Sequence, residues 1–401
     1  MTEETLHRKK TPIIFVLLSC LLLSGCKKDS TEAPSATATP PKTRYLKDYY
    51  RDYFDIGAAV QYYSIDNGKY EDLMPHFSTL TCENEMKWGK LEAQRGSFTY
   101  EGADKIVAYA QKHGKKVRGH TLLWHKSLPN WIKEECTTKE KALNLIDSHI
   151  KAVMGHFKDT VYCYDVVNEA LHNTVSEEDI DNGNYFRTGT EISGTGTMDW
   201  YSLCGFDYIK KAFQSAKEAK DIYGLDDLQL YYNDYSLNNP SKREAAKNLV
   251  KMLKADNIEI DGIGMQAHYR LSSYLSDKKR FMNDFEDSIK EFTELGIDVQ
   301  ITELDIRVND STVPTDEFDV FHKDLEYKQA EMFDDIYRIC RKYSLPWKSG
   351  AGVISNVTTW GIADDHSAHS TSTHKDYPLL FQKDHSEKEA IRKIEDFSED
   401  Q

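Results

Sequence analysis

Cysteine is scarce and scattered in this chain of 401 residues. Its 7 cysteines include Cys20 and Cys26 near the N-terminus, which leaves an odd number in the remainder, without close pairs. This spacing argues against a disulfide framework and against a CxxC zinc site. We therefore expect at least one free thiol and no metal centre built on cysteine.

Excess positive charge is also absent. The net charge is −15, which argues against nucleic acid or an anionic membrane surface as a partner. The chain is instead rich in aromatic residues, with 24 tyrosines and 6 tryptophans. This number exceeds the needs of a core, and surplus aromatic rings often line carbohydrate clefts.

The N-terminal apolar run is too short to span a bilayer. Ile13–Leu23 contains 11 residues, whereas a membrane-spanning helix needs about 20. The run follows the basic stretch His7–Lys10 and ends in Leu23–Cys26, which resembles a bacterial lipoprotein box. That resemblance implies a lipoprotein signal peptide over residues 1–25 and a lipid on Cys26. The alternative is an ordinary signal peptide that contains a cysteine by chance.

The segment after Cys26 has the composition of a linker. Residues 26–44 are rich in serine, threonine, alanine and proline, which predicts a lipidated, flexible tether. Lys27, in place of the aspartate that retains many lipoproteins at the inner membrane, favours an envelope lipoprotein of the outer membrane, facing the periplasm or the surface. A second linker is absent, so we predict one catalytic domain over residues 45–398.

Short apolar runs alternate with amphipathic helical patterns in this domain. Eight runs are typical of strands: Ile56–Ala59, Phe77–Leu80, Val117–Thr121, Val161–Val167, Leu228–Tyr232, Gly262–Gln266, Val299–Thr302 and Gly352–Val357. The helical patterns are Ala103–His113, Lys141–Phe157, Gly205–Tyr223, Lys242–Asp256, Phe281–Leu295 and Tyr327–Tyr343. This alternation predicts an α/β fold with parallel strands, and eight repeats predict a (β/α)8 TIM barrel.

Polar residues recur at the ends of the predicted strands: Glu83 and Asn84, His120, Asn168 and Glu169, Asn233 and Asp234, His268, Glu303, and Trp360. In a barrel these ends meet on one face, where active sites form. Two of the residues are glutamates that end short apolar runs, Glu169 and Glu303. Paired carboxylates at such positions are typical of glycoside hydrolysis, in which one protonates the leaving oxygen and the other acts from the opposite side.

Seven blocks resemble glycoside hydrolase family 10 endo-β-1,4-xylanases, in the family's order from about Tyr45 to Lys393. The blocks are Thr81–Trp88, Val117–His125, Asp165–Ala170, Leu230–Tyr235, Ile260–Tyr269, Ile301–Asp305 and Trp360–Asp365. The resemblance implies a retaining enzyme with Glu169 as acid/base and Glu303 as nucleophile. It also implies xylan or xylo-oligosaccharides as substrate. We expect a monomer without cofactor or metal.

The same resemblance assigns the other site residues. It implies that the sugar at the second donor-side subsite is bound by Glu83, Asn84 and Lys87. The sugar that is cleaved is surrounded by His120, Trp124, Asn168, Gln266, His268 and Trp360. Asp305, Asn233 and Tyr235 are expected to support these residues from behind.

The chain departs from the family pattern at several places. Tyr164 replaces a tryptophan, Ser127 replaces a glutamine that helps to bind the donor-side sugar, and Ala368 replaces a tryptophan that roofs the cleavage subsite. Asn173–Met198 forms a long polar insertion beside the acid/base. A loop with His366, His369 and His374 is expected to be solvated.

Two other functions remain open from the residues alone. One is a β-1,4- or mixed-linkage glucanase on the same barrel, which depends on whether Glu83, Asn84 and Lys87 leave room for the hydroxymethyl group of glucose. The other is a glycan-binding lipoprotein that has lost catalysis, although such proteins usually lose a carboxylate and this chain keeps both.

Overall fold

The computed structural model describes residues 44–309, 323–344, 354–371 and 375–398. Its eight main strands within these residues are β1 Asp55–Val60, β2 Thr79–Cys82, β3 Lys116–Gly119, β4 Val161–Asn168, β5 Gln229–Asp234, β6 Gly262–Met265, β7 Asp298–Arg307 and β8 Ile354–Thr359. The longer helices are α1 Glu101–Lys112, α2 Lys139–His156, α3 Asp207–Tyr223, α4 Pro240–Ala255, α5 Lys278–Thr293 and α6 Lys323–Ser344.

Shorter elements fill the connections. The short α-helices are Leu46–Tyr49, Tyr62–Asp66, Trp88–Leu91, Trp131–Glu135, Glu177–Asn182, Trp200–Cys204, Leu271–Ser276 and Glu389–Ile394. In the described ranges, three 3-10 turns lie at Met74–His76, Gly189–Glu191 and Asp364–His366, and two short strands lie at Leu123–Trp124 and His268–Arg270.

The eight strands pair in parallel in chain order, and β8 pairs with both β1 and β7. The sheet is therefore a closed (β/α)8 barrel, as the sequence predicted. Closure brings the carboxyl ends of all eight strands to one face. Contacts group residues 44–401 into one compact unit, whereas the predicted signal peptide and most of the predicted tether lie outside the described residues.

Local sequence explains where the helices start and which side they bury. Helix α4 begins with Pro240 at its first position, and the side chain of Asn239 accepts a hydrogen bond from the Lys242 N–H at 3.2 Å. Both features are typical of a helix N-terminus. Its buried side is lined by Ala245, Ala246, Leu249, Val250 and Leu253. This spacing of three and four residues places one apolar stripe against the barrel.

Strand β7 is longer than predicted. The apolar run predicts an end at Thr302, but the strand continues to Arg307 because the short strand His268–Arg270 pairs with it in parallel. Glu303 therefore lies inside a strand rather than after one, and its backbone is fixed by the sheet. Among the described residues, none of the helices is both long and apolar enough to cross a membrane.

Candidate active site

The two glutamates that the sequence singles out both lie at the carboxyl face of the barrel. Glu169 follows the last residue of β4, and Glu303 lies in β7. Their exposed fractions are 8% and 5%. A buried carboxylate needs hydrogen-bond partners, and both have them.

Three amide side chains join the two carboxylates. Gln266 Nε2 donates to Glu169 Oε1 at 3.1 Å and to Asn168 Oδ1 at 3.2 Å. Asn233 Nδ2 donates to the same Asn168 oxygen at 2.9 Å and to Glu303 Oε1 at 2.8 Å. Asn233 thus contacts Glu303 directly and lies where a residue that supports this carboxylate is expected.

His268 connects Glu303 to Asp305. Its Nε2 lies 3.1 Å from Glu303 Oε2 and its Nδ1 lies 2.8 Å from Asp305 Oδ2. Burial opposes a charge on this ring, but the two carboxylates raise the pKa of His268 well above its usual value. The ring therefore carries both protons and donates at both nitrogens.

The positive charge on His268 acts on both carboxylates. Burial raises the pKa of Glu303, but the hydrogen bond from His268 and the neighbouring histidine charges outweigh burial and lower it. Burial also raises the pKa of Asp305, but the charges and hydrogen bonds of His268 and His369 outweigh burial and lower it to about 2. Glu303 is therefore ionised at neutral pH, as a nucleophile must be.

Glu169 has an unusual backbone conformation. Its φ is +56°, which costs a residue with a side chain about 1–3 kcal/mol. Its N–H donates to the Asn233 carbonyl at 2.8 Å, and its own carbonyl accepts from Arg187 Nε at 2.9 Å. Trp124 Nε1 donates to Glu169 Oε2 at 3.0 Å. Backbone and carboxylate are thus held from several directions.

Sequence reasoning missed Arg187, which is 3% exposed. Besides Glu169, its guanidinium contacts Tyr235 Oη at 2.7 Å and, with Nη1, Asn173 Oδ1 at 2.7 Å. Tyr235 thus supports the site by binding the 173–198 insertion. One signal could have revealed Arg187: it is the only basic residue in that insertion.

The three residues predicted to grip a donor-side sugar lie together after β2. Lys87 Nζ donates to Asn84 Oδ1 at 3.0 Å, and Asn84 Nδ2 donates to Glu83 Oε1 at 3.2 Å. Burial lowers the pKa of Lys87, while the charges of Glu303, Glu83 and Glu169 oppose that effect. Lys87 Nζ also lies 5.2 Å from the centre of the Trp124 ring. These residues thus extend the site outward from the two glutamates.

His120 follows β3 and Trp360 follows β8, and their rings are in contact. His120 Nδ1 lies 2.8 Å from Asp165 Oδ2, and Asp165 is paired with Arg118 inside the barrel. The Trp360 ring meets His120 edge to face at 5.3 Å and His268 at 6.2 Å. All predicted substrate-binding residues thus lie on the carboxyl face of the barrel.

The expectation of a solvated histidine loop is wrong for two of its members. His366 Nε2 lies 2.9 Å from Gln61 Nε2 and 2.8 Å from Tyr63 Oη. His369 Nε2 lies 2.8 Å from Asp305 Oδ2. Partners distant in sequence hold both rings, while His374 lies outside the described residues.

In the described part of the chain, one group has the composition of a metal site. Ligand atoms of His268, Asp305 and His369 lie within 4.8 Å of one another. Hydrogen bonds to Asp305 Oδ2 already occupy a nitrogen of each ring. Carboxylate–imidazole hydrogen bonding therefore accounts for the cluster.

This arrangement can protonate a leaving oxygen from one side of a sugar and stabilise positive charge from the other. An oxocarbenium-like transition state is suited by three features: a carboxyl held by an amide and an indole, an ionised carboxylate beside an imidazolium, and aromatic rings around them. The barrel and this pair define a glycoside hydrolase.

The family model described as Glycosyl hydrolase family 10 matches residues 45–397, and the chain belongs to this family. It is 40% identical to a β-1,4-xylanase of Dictyoglomus thermophilum, over 88% of this chain and 90% of that protein. It is 34% identical to an endo-1,4-β-xylanase of Geobacillus stearothermophilus, over 87% and 97%.

Solved structures agree. An endo-1,4-β-xylanase of Caldicellulosiruptor owensensis superposes with a TM-score of 0.75 at 32% identity, covering 88% of this chain and 99% of that one. A mutant structure in complex with xylotriose gives the same TM-score and identity, covering 88% and 100%.

Proposed function

We infer that this protein is a retaining endo-1,4-β-xylanase that hydrolyses internal β-1,4-xylosidic bonds of xylan by double displacement. The observation that carries this inference is the chain of amides from Glu169 to Glu303, with the His268–Asp305 pair behind Glu303. The xylanase relatives and the xylotriose complex of a similar structure support xylan as the substrate.

In the first step, a Glu303 oxygen attacks the anomeric carbon while Glu169 gives its proton to the departing glycosidic oxygen. The bond between the sugars breaks and a glycosyl ester on Glu303 forms. In the second step, Glu169 removes a proton from water, the water oxygen attacks the anomeric carbon, and Glu303 leaves. Two inversions give net retention.

The neighbouring side chains position the sugar. Asn168 already accepts two amide hydrogen bonds, which orients its side chain toward the 2-hydroxyl, a contact that strengthens in the transition state. Trp360 supplies an apolar face below the ring, and Lys87, Asn84 and Glu83 bind the hydroxyls of the next donor-side sugar.

Product analysis tests the proposed activity. Purified full-length protein is incubated with xylan and, separately, with carboxymethylcellulose, beside a Glu303→Gln control. Short xylo-oligosaccharides from xylan alone are the expected result. Activity on the glucan alone would show that the substrate is a β-glucan rather than xylan. Binding of xylan without products would favour the non-catalytic glycan binder.

We further propose that the enzyme is an envelope lipoprotein. The support is the sequence pattern: a basic segment, a short apolar run and Cys26, followed by the 26–44 tether. Metabolic labelling with a radioactive fatty acid should label the wild type and leave Cys26→Ala unlabelled, and membrane fractionation should place the labelled protein in the outer membrane. Equal labelling of both forms would contradict the lipid on Cys26.

A further inference from the structure

A row of contacts continues outward from Glu83, Asn84 and Lys87, the residues predicted to bind the second donor-side sugar. Glu83 Oε1 accepts a hydrogen bond from Gln61 Nε2 at 2.7 Å. Gln61 Nε2 lies 2.9 Å from His366 Nε2, and Tyr63 Oη lies 2.8 Å from the same ring nitrogen. The row begins beside Lys87 near the two catalytic glutamates and ends at Tyr63.

The end of this row is an exposed aromatic surface. Tyr62 and Tyr63 are 40% and 36% exposed, and they begin the short helix that follows the carboxyl end of β1. Among the described residues, the other large exposed aromatic side chains, Tyr223 and Tyr327, lie on the outer helices α3 and α6. Because Tyr62 and Tyr63 follow the carboxyl end of β1, they lie on the catalytic face instead.

The orientation of the Tyr63 ring is already fixed. It meets His366 edge to face, with ring centres 5.7 Å apart, and it meets Tyr62 in the same way at 6.1 Å. Tyr62 in turn lies under Lys105 Nζ, 5.2 Å from its ring centre. A ring held before its ligand arrives loses little conformational entropy on binding.

The polar groups around Tyr63 suit a neutral, hydroxyl-rich ligand. Burial, followed by the charges of Glu83 and Glu85, raises the pKa of Tyr63, so its hydroxyl keeps its proton. Gln61 and Glu83 lie on the side toward the catalytic pair. A pyranose can stack its C–H face on such a ring and direct its hydroxyls to the adjacent amide and carboxylate.

We propose that Tyr63, oriented by His366, is the stacking surface of a third donor-side subsite, which binds one xylose unit beyond the unit held by Glu83. This inference rests on the proposed xylanase function. The observation that carries it is the contact between His366, which follows β8, and Tyr63, which follows β1.

Two aryl glycosides separate the third subsite from the first two. Aryl β-xylobioside fills two donor-side subsites, and aryl β-xylotrioside with the same leaving group fills three. The ratio of their kcat/KM values, trioside to bioside, measures what the third sugar adds. We expect about a tenfold ratio for the wild type, which corresponds to about 1.4 kcal/mol.

Tyr63→Ala should reduce this ratio several-fold, and Tyr63→Phe, which keeps the ring, should retain most of it. Tyr327→Ala is the matched control, because it removes an exposed tyrosine from an outer helix and should leave the ratio unchanged. Thermal melting of each variant shows that the fold is retained, and Tyr63→Phe provides a result even where Tyr63→Ala unfolds.

The outcomes are distinguishable. A wild-type ratio near one overturns the third subsite, and a high ratio that Tyr63→Ala leaves unchanged overturns Tyr63 as its stacking surface. In both cases the xylanase function stands. If the wild type hydrolyses neither glycoside and does not cleave xylan, the proposed function fails and the subsite with it.

Discussion

His369 Nε2 and Asp305 Oδ2 lie 2.8 Å apart, and the same Asp305 oxygen also accepts the hydrogen bond from His268. One buried carboxylate oxygen therefore contacts two imidazole rings, of which only His268 contacts Glu303. Asp305 can therefore act on Glu303 through His268, whereas His369 forms a hydrogen bond with Asp305 alone among these residues. The two roles can be tested separately.

Asp305→Asn should shift the alkaline limb of kcat/KM to lower pH. The negative charge of Asp305 helps to raise the pKa of His268, and the resulting imidazolium helps to lower the pKa of Glu303. Without that charge His268 loses its proton at lower pH, and Glu303 then loses the imidazolium that stabilises its carboxylate. A pH profile of kcat/KM measures the shift.

His369→Asn is the matched control for that shift. It removes one ring from Asp305 but leaves the contact between Asp305 and His268. We expect a much smaller displacement of the alkaline limb than in Asp305→Asn. Equal displacements in both variants would contradict a relay that runs through His268 alone.

Glu169→Gln should have an effect that depends on the leaving group. Without a proton donor, hydrolysis of xylan should fall by about 10²–10⁴-fold, the usual contribution of a general acid. An aryl xyloside whose phenolate leaves without protonation should form the glycosyl-enzyme at nearly the wild-type rate, measurable as a pre-steady-state burst. Glu303→Gln should abolish both reactions, and a similar loss on both substrates in Glu169→Gln would argue against its role as the acid.

Arg187→Ala should lower both kcat and stability. It frees the Glu169 carbonyl in a backbone conformation that is intrinsically unfavourable, and misplacing a catalytic group by about 1 Å can cost about 100-fold in rate. Each buried partner left without a hydrogen bond costs about 1–3 kcal/mol of unfolding free energy.

Arg95→Ala is the control for Arg187→Ala, because Arg95 forms an exposed ion pair with Glu135, and such pairs contribute about 0–1 kcal/mol. Steady-state kinetics and thermal melting compare the two variants. A kcat for Arg187→Ala equal to that of Arg95→Ala would show that the insertion does not position Glu169.

Ala368→Trp should lower KM for unbranched xylan. Ala368 is exposed, so a larger ring has space, and an aromatic ring over the sugar should contribute about 1 kcal/mol, or about fivefold in KM. Ala368→Leu adds apolar volume without a ring and should give a smaller change. An unchanged or higher KM in Ala368→Trp would contradict an open roof at this position.

The barrel and the central residues could be predicted from sequence because their signals are local. Each strand is a short run of β-forming residues, and polar residues lie at its end or directly after it, as Asn168 ends β4 and Glu169 follows it. Eight such repeats define the topology, and topology alone brings the strand ends together.

The residues that sequence reasoning missed depend on contacts between distant segments. His369 and Asp305 are 64 positions apart, and Tyr63 and His366 are 303 apart. A histidine in a polar loop has the same local signal whether it is solvated or bound. The extension of β7 has the same origin, since it requires His268–Arg270 to pair with it.

Trapping the covalent intermediate tests the central claim most directly. The full-length enzyme is incubated with an activated 2-deoxy-2-fluoro-xylobioside, which forms the glycosyl ester but hydrolyses slowly, and its peptides are analysed by mass spectrometry. We predict one fluoroxylobiosyl group per chain, attached to Glu303. Inactivation without an adduct, or an adduct on another residue, would contradict the assignment of Glu303 as the nucleophile of a retaining enzyme.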